Sequence, residues 1–276
     1  MTRFAPHFNR TRLTALALCV LIAFFASATL AWRNLSPSFD AGVTARGRMA
    51  DFPSVFLWAW ERPEKFDFID TRQTGVAYLA RTLYLRGERV VVRPRLQPLE
   101  VPAGTRLVAV ARIEVDRDAP PSLSAAQLRE TVEAVAGAVR GRAVSAVQID
   151  FDARVSEREF YRELLSALRR ELPDSTALSM TALASWCTHE RWLADLPVDE
   201  VVPMFFRMGA DSRRVDGFLR AGEEFAAGVC RTSAGVSTDE PVSTLPAQNR
   251  RLYVFNPRSW TRADSDAILQ RYRNEN

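Results

Sequence analysis

The sequence predicts an α/β fold, an irregular (β/α)8 TIM-type barrel with a β-hairpin in place of a regular helix after the second strand. Three observations carry that expectation. Short apolar runs alternate with amphipathic stretches of helical spacing, the pattern of parallel βαβ units. Eight such runs fit between Asp51 and the C-terminus. None is followed by the Gly-rich turn that binds a dinucleotide, which places an open doubly wound sheet second.

What precedes Asp51 reads as export machinery and a tether. Arg3, Arg10 and Arg12 lead into an apolar stretch, Leu13–Phe25, and Ala26-Ser27-Ala28 is a small-x-small pattern that signal peptidase accepts. Residues 1–28 are therefore expected to be a signal peptide. Extended to Trp32, the apolar stretch reaches about twenty residues, enough to span a bilayer uncleaved, so a membrane anchor stays open. Cys19 follows Leu18 rather than a small residue, which argues against lipid attachment. Either way the protein is expected outside the cytoplasm, periplasmic or extracellular, free or held on the inner membrane. Residues 29–50 are polar and rich in small side chains and read as a linker, leaving residues 51–276 as a single barrel-like domain.

The composition, 47% hydrophobic and 25% charged over 276 residues, is that of an ordinary globular chain. The pI of about 9.3 overstates its basicity. Three of the 37 basic residues and none of the 33 acidic ones lie in residues 1–28, so the remainder carries 34 against 33, a net charge near +1. With no basic run, nucleic acid is not an expected partner. Cys187 and Cys230 remain after export, and a disulfide and two buried thiols both fit the sequence.

Taken in order, Ser54–Trp60 is the first strand, Gly75–Leu85 the second, and Arg89–Leu96 its hairpin partner across Arg86-Gly87-Glu88. Arg106–Val115 is the third. Ser124 with Gln127 then makes a capping-box pattern ahead of Leu128, Val132, Val135, Ala136 and Val139, one face of a helix. Ala146–Ala153 follows as the fourth strand. Ser156 with Glu159 makes a second capping box before Phe160, Leu164, Leu165, Leu168 and Leu172, and Pro173 closes that helix. Ala177–Ser185, Glu200–Met208, Ser233–Thr238 and Arg251–Phe255 complete the strands, with helical segments near Glu190–Leu193, Arg213–Ala226 and Arg262–Tyr272.

In such a barrel, reactive groups come from the C-terminal strand ends. Along Val147-Gln148-Ile149-Asp150-Phe151-Asp152, alternation sends Gln148, Asp150 and Asp152 to one face and the apolar residues to the other. Two carboxylates about 6.6 Å apart along a strand would then face the barrel mouth. Like charges that close raise the proton affinity of one of them, so Asp150 and Asp152 are the candidate catalytic pair. An arginine-neutralised pair or a cation site is the structural reading of the same residues.

Other strand ends supply Trp58, Trp60, Glu61, Arg112, Glu114, Trp186, Arg207, Asp239 and Glu240, with Trp260 after the last strand. Flat indole faces beside acids and arginines suit the apolar C–H faces and the hydroxyls of sugars. Any single Trp is as readily a core residue; together they favour a polysaccharide or glycan over a nucleotide. With His7 in the export segment and His189 the one histidine beyond it, histidine metal sites and a Ser-His-Asp triad lack material. There is no Walker-type loop and no nucleophile elbow. No cofactor or metal is expected.

The motifs Phe56-Leu57-Trp58-Ala59-Trp60-Glu61-Arg62-Pro63, Gly75-Val76-Ala77-Tyr78-Leu79-Ala80, Gln148-Ile149-Asp150-Phe151-Asp152-Ala153, Thr181-Ala182-Leu183-Ala184-Ser185-Trp186-Cys187 and Gly235-Val236-Ser237-Thr238-Asp239-Glu240-Pro241 resemble an uncharacterised bacterial family catalogued as domain of unknown function 3142. That resemblance runs from about Asp51 to Pro241 and implies no settled activity. More distantly, the fourth-strand motif is similar to the Asp-x-Asp-x-Glu pattern of chitinase-type family 18 glycoside hydrolases. On that comparison Gln148 stands at the first acid, Asp150 at the middle aspartate and Asp152 at the catalytic glutamate. Met204-Phe205-Phe206-Arg207 is similar to the Met-x-Tyr-Asp run of the sixth strand, with Phe206 lacking the phenol and Arg207 reversing the charge. The strand-end acids, the tryptophans and the export segment together lead to the expectation of a glycoside-hydrolase-like envelope protein acting on a polysaccharide or glycan, with Asp152 as proton donor and Asp150 tuning its pKa or stabilising positive charge; the alternative is a non-catalytic glycan-binding or envelope-assembly protein on the same barrel.

Overall fold

The computed structural model describes residues 47–190, 192–223, 225–240 and 250–275. The expected export segment and residues 29–46 of the expected linker lie outside the described residues. Among the described residues, eight parallel strands close into a barrel: β1 (Val55–Ala59), β3 (Thr74–Arg86), β6 (Leu107–Val115), β7 (Ala146–Phe151), β8 (Ala177–Leu183), β9 (Glu200–Met204), β10 (Ser233–Ser237) and β11 (Arg251–Phe255). Each pairs with the next, and β1 closes the ring by pairing with β3 on one side and β11 on the other, Val55 lying opposite both Thr74 and Leu252. Strand β4 (Arg89–Pro94) adds antiparallel to the upper half of β3, so the hairpin stands where a helix would be. A two-residue pair, β2 (Glu64–Lys65) and β5 (Leu99–Glu100), braces the loops beside it.

Alternation along the strands divides the apolar side chains into two cores. Val55, Leu57, Val76, Ala109, Ala111, Val147, Ile149, Leu178, Met180, Val201, Leu252 and Val254 point outward and pack under the helices α1 (Ala125–Val139), α2 (Arg158–Glu171), α3 (Ala184–His189), α4 (Ser212–Arg220) and α5 (Arg262–Glu275). Phe56, Trp58, Ala77, Leu79, Val108, Val110, Ala146, Val202, Tyr253 and Phe255 point inward and fill the lumen. Phe56 stacks on Tyr253 at 5.1 Å and Trp58 on Phe255 at 4.3 Å. Room for the Phe56 ring exists because β3 carries Gly75, where a Cβ would fall 2.3 Å from it.

Two helix starts show how local signals were used. Ser124 caps α1, its Oγ accepting from the Gln127 N–H at 3.2 Å. The Gln127 Oε1 accepts in turn from the Leu123 N–H at 2.9 Å, one residue before the cap, and its Nε2 donates to the carbonyls of Gly87 and Arg89, fastening the helix to the hairpin. At α2 the expected Ser156–Glu159 box is not formed. The carboxylate of Glu157 accepts from the Arg154 N–H at 2.7 Å instead, through a 3-10 turn at Val155–Glu157. Glu157 is buried and Ser156 exposed, so the bond made by the buried group prevails.

The helix expected near Glu190–Leu193 forms earlier, as α3, because Trp186 and Cys187 are drawn into the outer core. Cys187 is bridged there to Cys230, settling the alternative left open by the sequence. Strand β9 ends at Met204, and it cannot run on to Met208 because Arg207 adopts a left-handed backbone (φ 51°) that no strand accommodates. No described helix is long and apolar enough to cross a membrane.

Candidate functional site

At the C-terminal ends of β6, β7 and β8 the inward positions turn from apolar to polar. Cross-strand register sets Arg112 of β6 beside Asp150 of β7. Arg112 Nη1 donates to Asp150 Oδ2 at 3.1 Å, and Arg112 Nε donates to Glu114 Oε1 at 2.5 Å. From β8, Thr181 Oγ1 donates to Asp150 Oδ1 at 2.8 Å. The guanidinium also lies over the Trp60 ring, 5.8 Å from its centroid. Asp150 is thus buried with both oxygens partnered. Burial pushes its carboxyl above the usual range, against the pull of Arg112 and the Thr181 hydroxyl.

Asp152, two positions on, stands differently. Among the described residues it has no hydrogen-bond or ion-pair partner, and its side chain opens to solvent at the rim. The cleft walls nevertheless surround its carboxyl on the inner side. That partial burial first, and the charge of Asp150 second, push it up to about 6. The cleft in front of it has a volume of about 210 Å³, and its lining includes Arg112, Glu114, Arg117, Asp150, Asp152 and Arg154. It is smaller than the roughly 300–1,000 Å³ of a pocket that engulfs a drug-sized ligand, and suits part of a longer one.

Below this layer, Gln148 faces the lumen, donating from Nε2 to Ser179 Oγ at 2.8 Å while its Oε1 has no partner among the described residues. The outward face of β7 is clamped by α2, where Tyr161 packs on Phe151 at 5.2 Å and donates its hydroxyl to the Ile149 carbonyl. This packing is what fixes the two aspartates on the inward face.

The remaining predicted residues disperse. Trp60 reaches the mouth, half-buried beside Arg112, whereas Trp58 is fully buried in the lumen beneath it. Glu61 accepts from the Leu96 and Gln97 N–H groups, which ties it to the loop after the hairpin. Trp186 packs edge-on against Trp192 at 4.9 Å, with Arg158 over both rings, in the outer core rather than at the mouth. Trp260 is likewise buried there, its indole N–H donating to the Trp58 carbonyl at 2.9 Å. Both differ from the expectation of platforms at the rim, because large rings next to a strand end gain more by filling the helix layer than by facing water.

Arg207, Asp239 and Glu240 gather at the ends of β9 and β10. Glu240 accepts from the Arg207 N–H at 2.9 Å, and the Arg207 guanidinium lies 3.9 Å from Asp239. A hydrogen bond from Ser237 holds the Asp239 carboxyl below its usual range. This cluster does not line the cleft of Asp152. Thr181, Arg117, Arg154 and Glu157 belong to that cleft or its support and were missed from sequence. Thr181 alone carried a signal, since it lies at an inward position one strand from Asp150.

Residues 103–207 match the model of the family described as domain of unknown function (DUF3142). The Gln148–Ala153 and Thr181–Cys187 motifs fall inside that match, and the other three motifs lie outside it. Comparison with curated proteins gives no match. Among solved structures, the chain is similar to a protein assigned as chitinase A from Streptomyces coelicolor, at 11% identity over 81% of this chain and 96% of that one, with a TM-score of 0.49. It is also similar to the spore cortex-lytic enzyme SleL of Bacillus cereus, at 14% identity over 67% of this chain and 51% of that one, with a TM-score of 0.42. The chain thus matches about half the length of SleL.

Proposed function

We propose that this protein is an exported glycan hydrolase of the cell envelope in which Asp152 is the proton donor. One observation carries the reading: an unpaired carboxyl with an affinity for protons near pH 6 stands in an open cleft directly above a buried, arginine-held aspartate. A general acid must be protonated yet able to release its proton near the working pH. The charge of Asp150 raises the pKa of Asp152, and that charge also stabilises the positive charge that develops on a sugar ring as the glycosidic bond breaks. Trp60, held against Arg112, offers an aromatic face at the rim for the sugar's C–H groups. The Cys187–Cys230 disulfide agrees with a compartment outside the cytoplasm.

A second reading has its own observation. Gln148 has no acid to offer at the lowest of the three inward positions, and Asp152 is one methylene shorter than a glutamate, which favours a barrel that binds glycan without cleaving it. The full chain and its Asp152→Asn variant, screened together for polysaccharide hydrolysis and on a glycan array, separate the two. Cleavage by the wild type that the variant loses supports the hydrolase. Binding by both without cleavage by either supports the binding protein. Neither cleavage nor binding by either overturns both.

A further inference from the structure

Three arginines line the cleft of Asp152, and they are not equivalent. Arg112 is engaged by Asp150 and Glu114 and covered by Trp60. Arg117 and Arg154 are exposed, and among the described residues neither guanidinium has a hydrogen-bond or ion-pair partner. They follow β6 and β7, strands paired in register through Arg112 and Asp150, so they rise from neighbouring loops over one mouth.

The backbone beneath each is fixed. The Arg154 N–H is held by buried Glu157 at 2.7 Å. The loop of Arg117 is held by Asp116, which accepts from the Asp118 and Ala119 N–H groups at 2.8 and 3.2 Å and pairs with Arg86 at 2.9 Å. Two cationic side chains on held backbone, left unneutralised at the edge of a cleft rich in carboxylates, match an anion that the ligand itself brings. The planar fork of a guanidinium matches a carboxylate through two parallel N–H···O bonds.

We propose that the glycan this cleft takes is acidic, a uronate-type chain whose carboxylate is bound by Arg117 and Arg154 while a neighbouring bond lies at Asp152. The proposal rests on the glycan reading above and adds the class of sugar. It explains how a cleft with several acids of its own would attract an anionic chain: the ligand's charge is met at the rim, away from Asp150.

The test uses the full chain and oligomers of polygalacturonate, alginate and hyaluronan, each beside its carboxyl-reduced neutral form. The expected result is that at least one acidic oligomer binds about 10-fold more tightly than its reduced form, with the preference weakening in high salt. The variant Arg117→Gln/Arg154→Gln, with an unchanged circular dichroism spectrum, should bring the acidic oligomer down to the affinity of the reduced one. Equal binding of acidic and reduced forms by the wild type overturns the proposal and leaves the glycan reading standing. So does an acidic preference that survives the double substitution. No binding to any acidic, reduced or neutral glycan overturns both.

Discussion

Among the described residues, two buried carboxylates face the inside of this barrel, and they have nearly the same partners. Glu200, at the start of β9, pairs with Arg251 and accepts from the Tyr253 hydroxyl at 2.6 Å. Asp150, near the end of β7, pairs with Arg112 and accepts from the Thr181 hydroxyl at 2.8 Å. Burial pushes both carboxyls up. The difference is what lies beyond them. Arg251 also donates to the Pro53 and Met49 carbonyls, so the lower group closes the floor of the barrel with each guanidinium nitrogen partnered. The upper group opens onto a cleft, and the next inward side chain, Asp152, has no partner among the described residues. A carboxylate–arginine–hydroxyl triad is therefore no signature of function by itself; its place along the strand decides whether it is a plug or the base of a site.

The largest expected effect lies at the open end. Asp152→Asn should lower turnover by about 10²–10⁴-fold, the usual contribution of a general acid, with the circular dichroism spectrum of the folded protein retained. A variant that keeps full activity would place the acid elsewhere. At the closed end, Glu200→Ala should cost about 3 kcal/mol in a denaturant titration, the low end for breaking a buried pair, because two carbonyls still accept from Arg251. A loss below about 1 kcal/mol would show that the floor is not the plug described.

Asp150→Asn joins the two ideas. Removing the negative charge that raises Asp152 should move the alkaline limb of the pH–rate profile, centred near pH 6 in the wild type, to lower pH. A limb that stays in place would mean that Asp150 does not act on the acid.

The smallest effect is on stability. The folded-state pKa of Asp152 lies above its unfolded value, so the folded protein binds more protons between about pH 4 and pH 6, and stability falls as pH rises through that window. Above it, Asp152→Asn should raise the melting temperature by ~2–4 °C, after allowing for solvent screening at the rim, and should change little at pH 4. An equal shift at both pH values would argue that the asparagine stabilises by packing rather than by removing charge.

How far the sequence reached can be seen along β7 and its neighbours. Period-two alternation placed Gln148, Asp150 and Asp152 inward and Val147, Ile149 and Phe151 outward, and α2 does cover the outward set. The cap at Ser124 was legible because it is a local bond, and the hairpin was legible because Gly87 takes the left-handed turn its sequence suggests (φ 53°). The tryptophans were not legible. Trp58, Trp60, Trp186 and Trp260 all stand at or just past strand ends, yet only Trp60 reaches the mouth, because which face of a loop meets the helix layer depends on chain segments far away in sequence.

The sequence by itself determined the eight-strand alternation, the inward pair of aspartates and the hairpin, all consequences of periodicities and turn preferences that act within a few residues. The tertiary structure decided what those residues do. Pairing of β7 with β6 on one side and β8 on the other set Arg112 and Thr181 on Asp150, left Asp152 without a partner among the described residues, and brought Arg117 and Arg154 from separate loops to one cleft. The partners of a buried charge are chosen by strand register across the barrel, a long-range relation that no local pattern encodes.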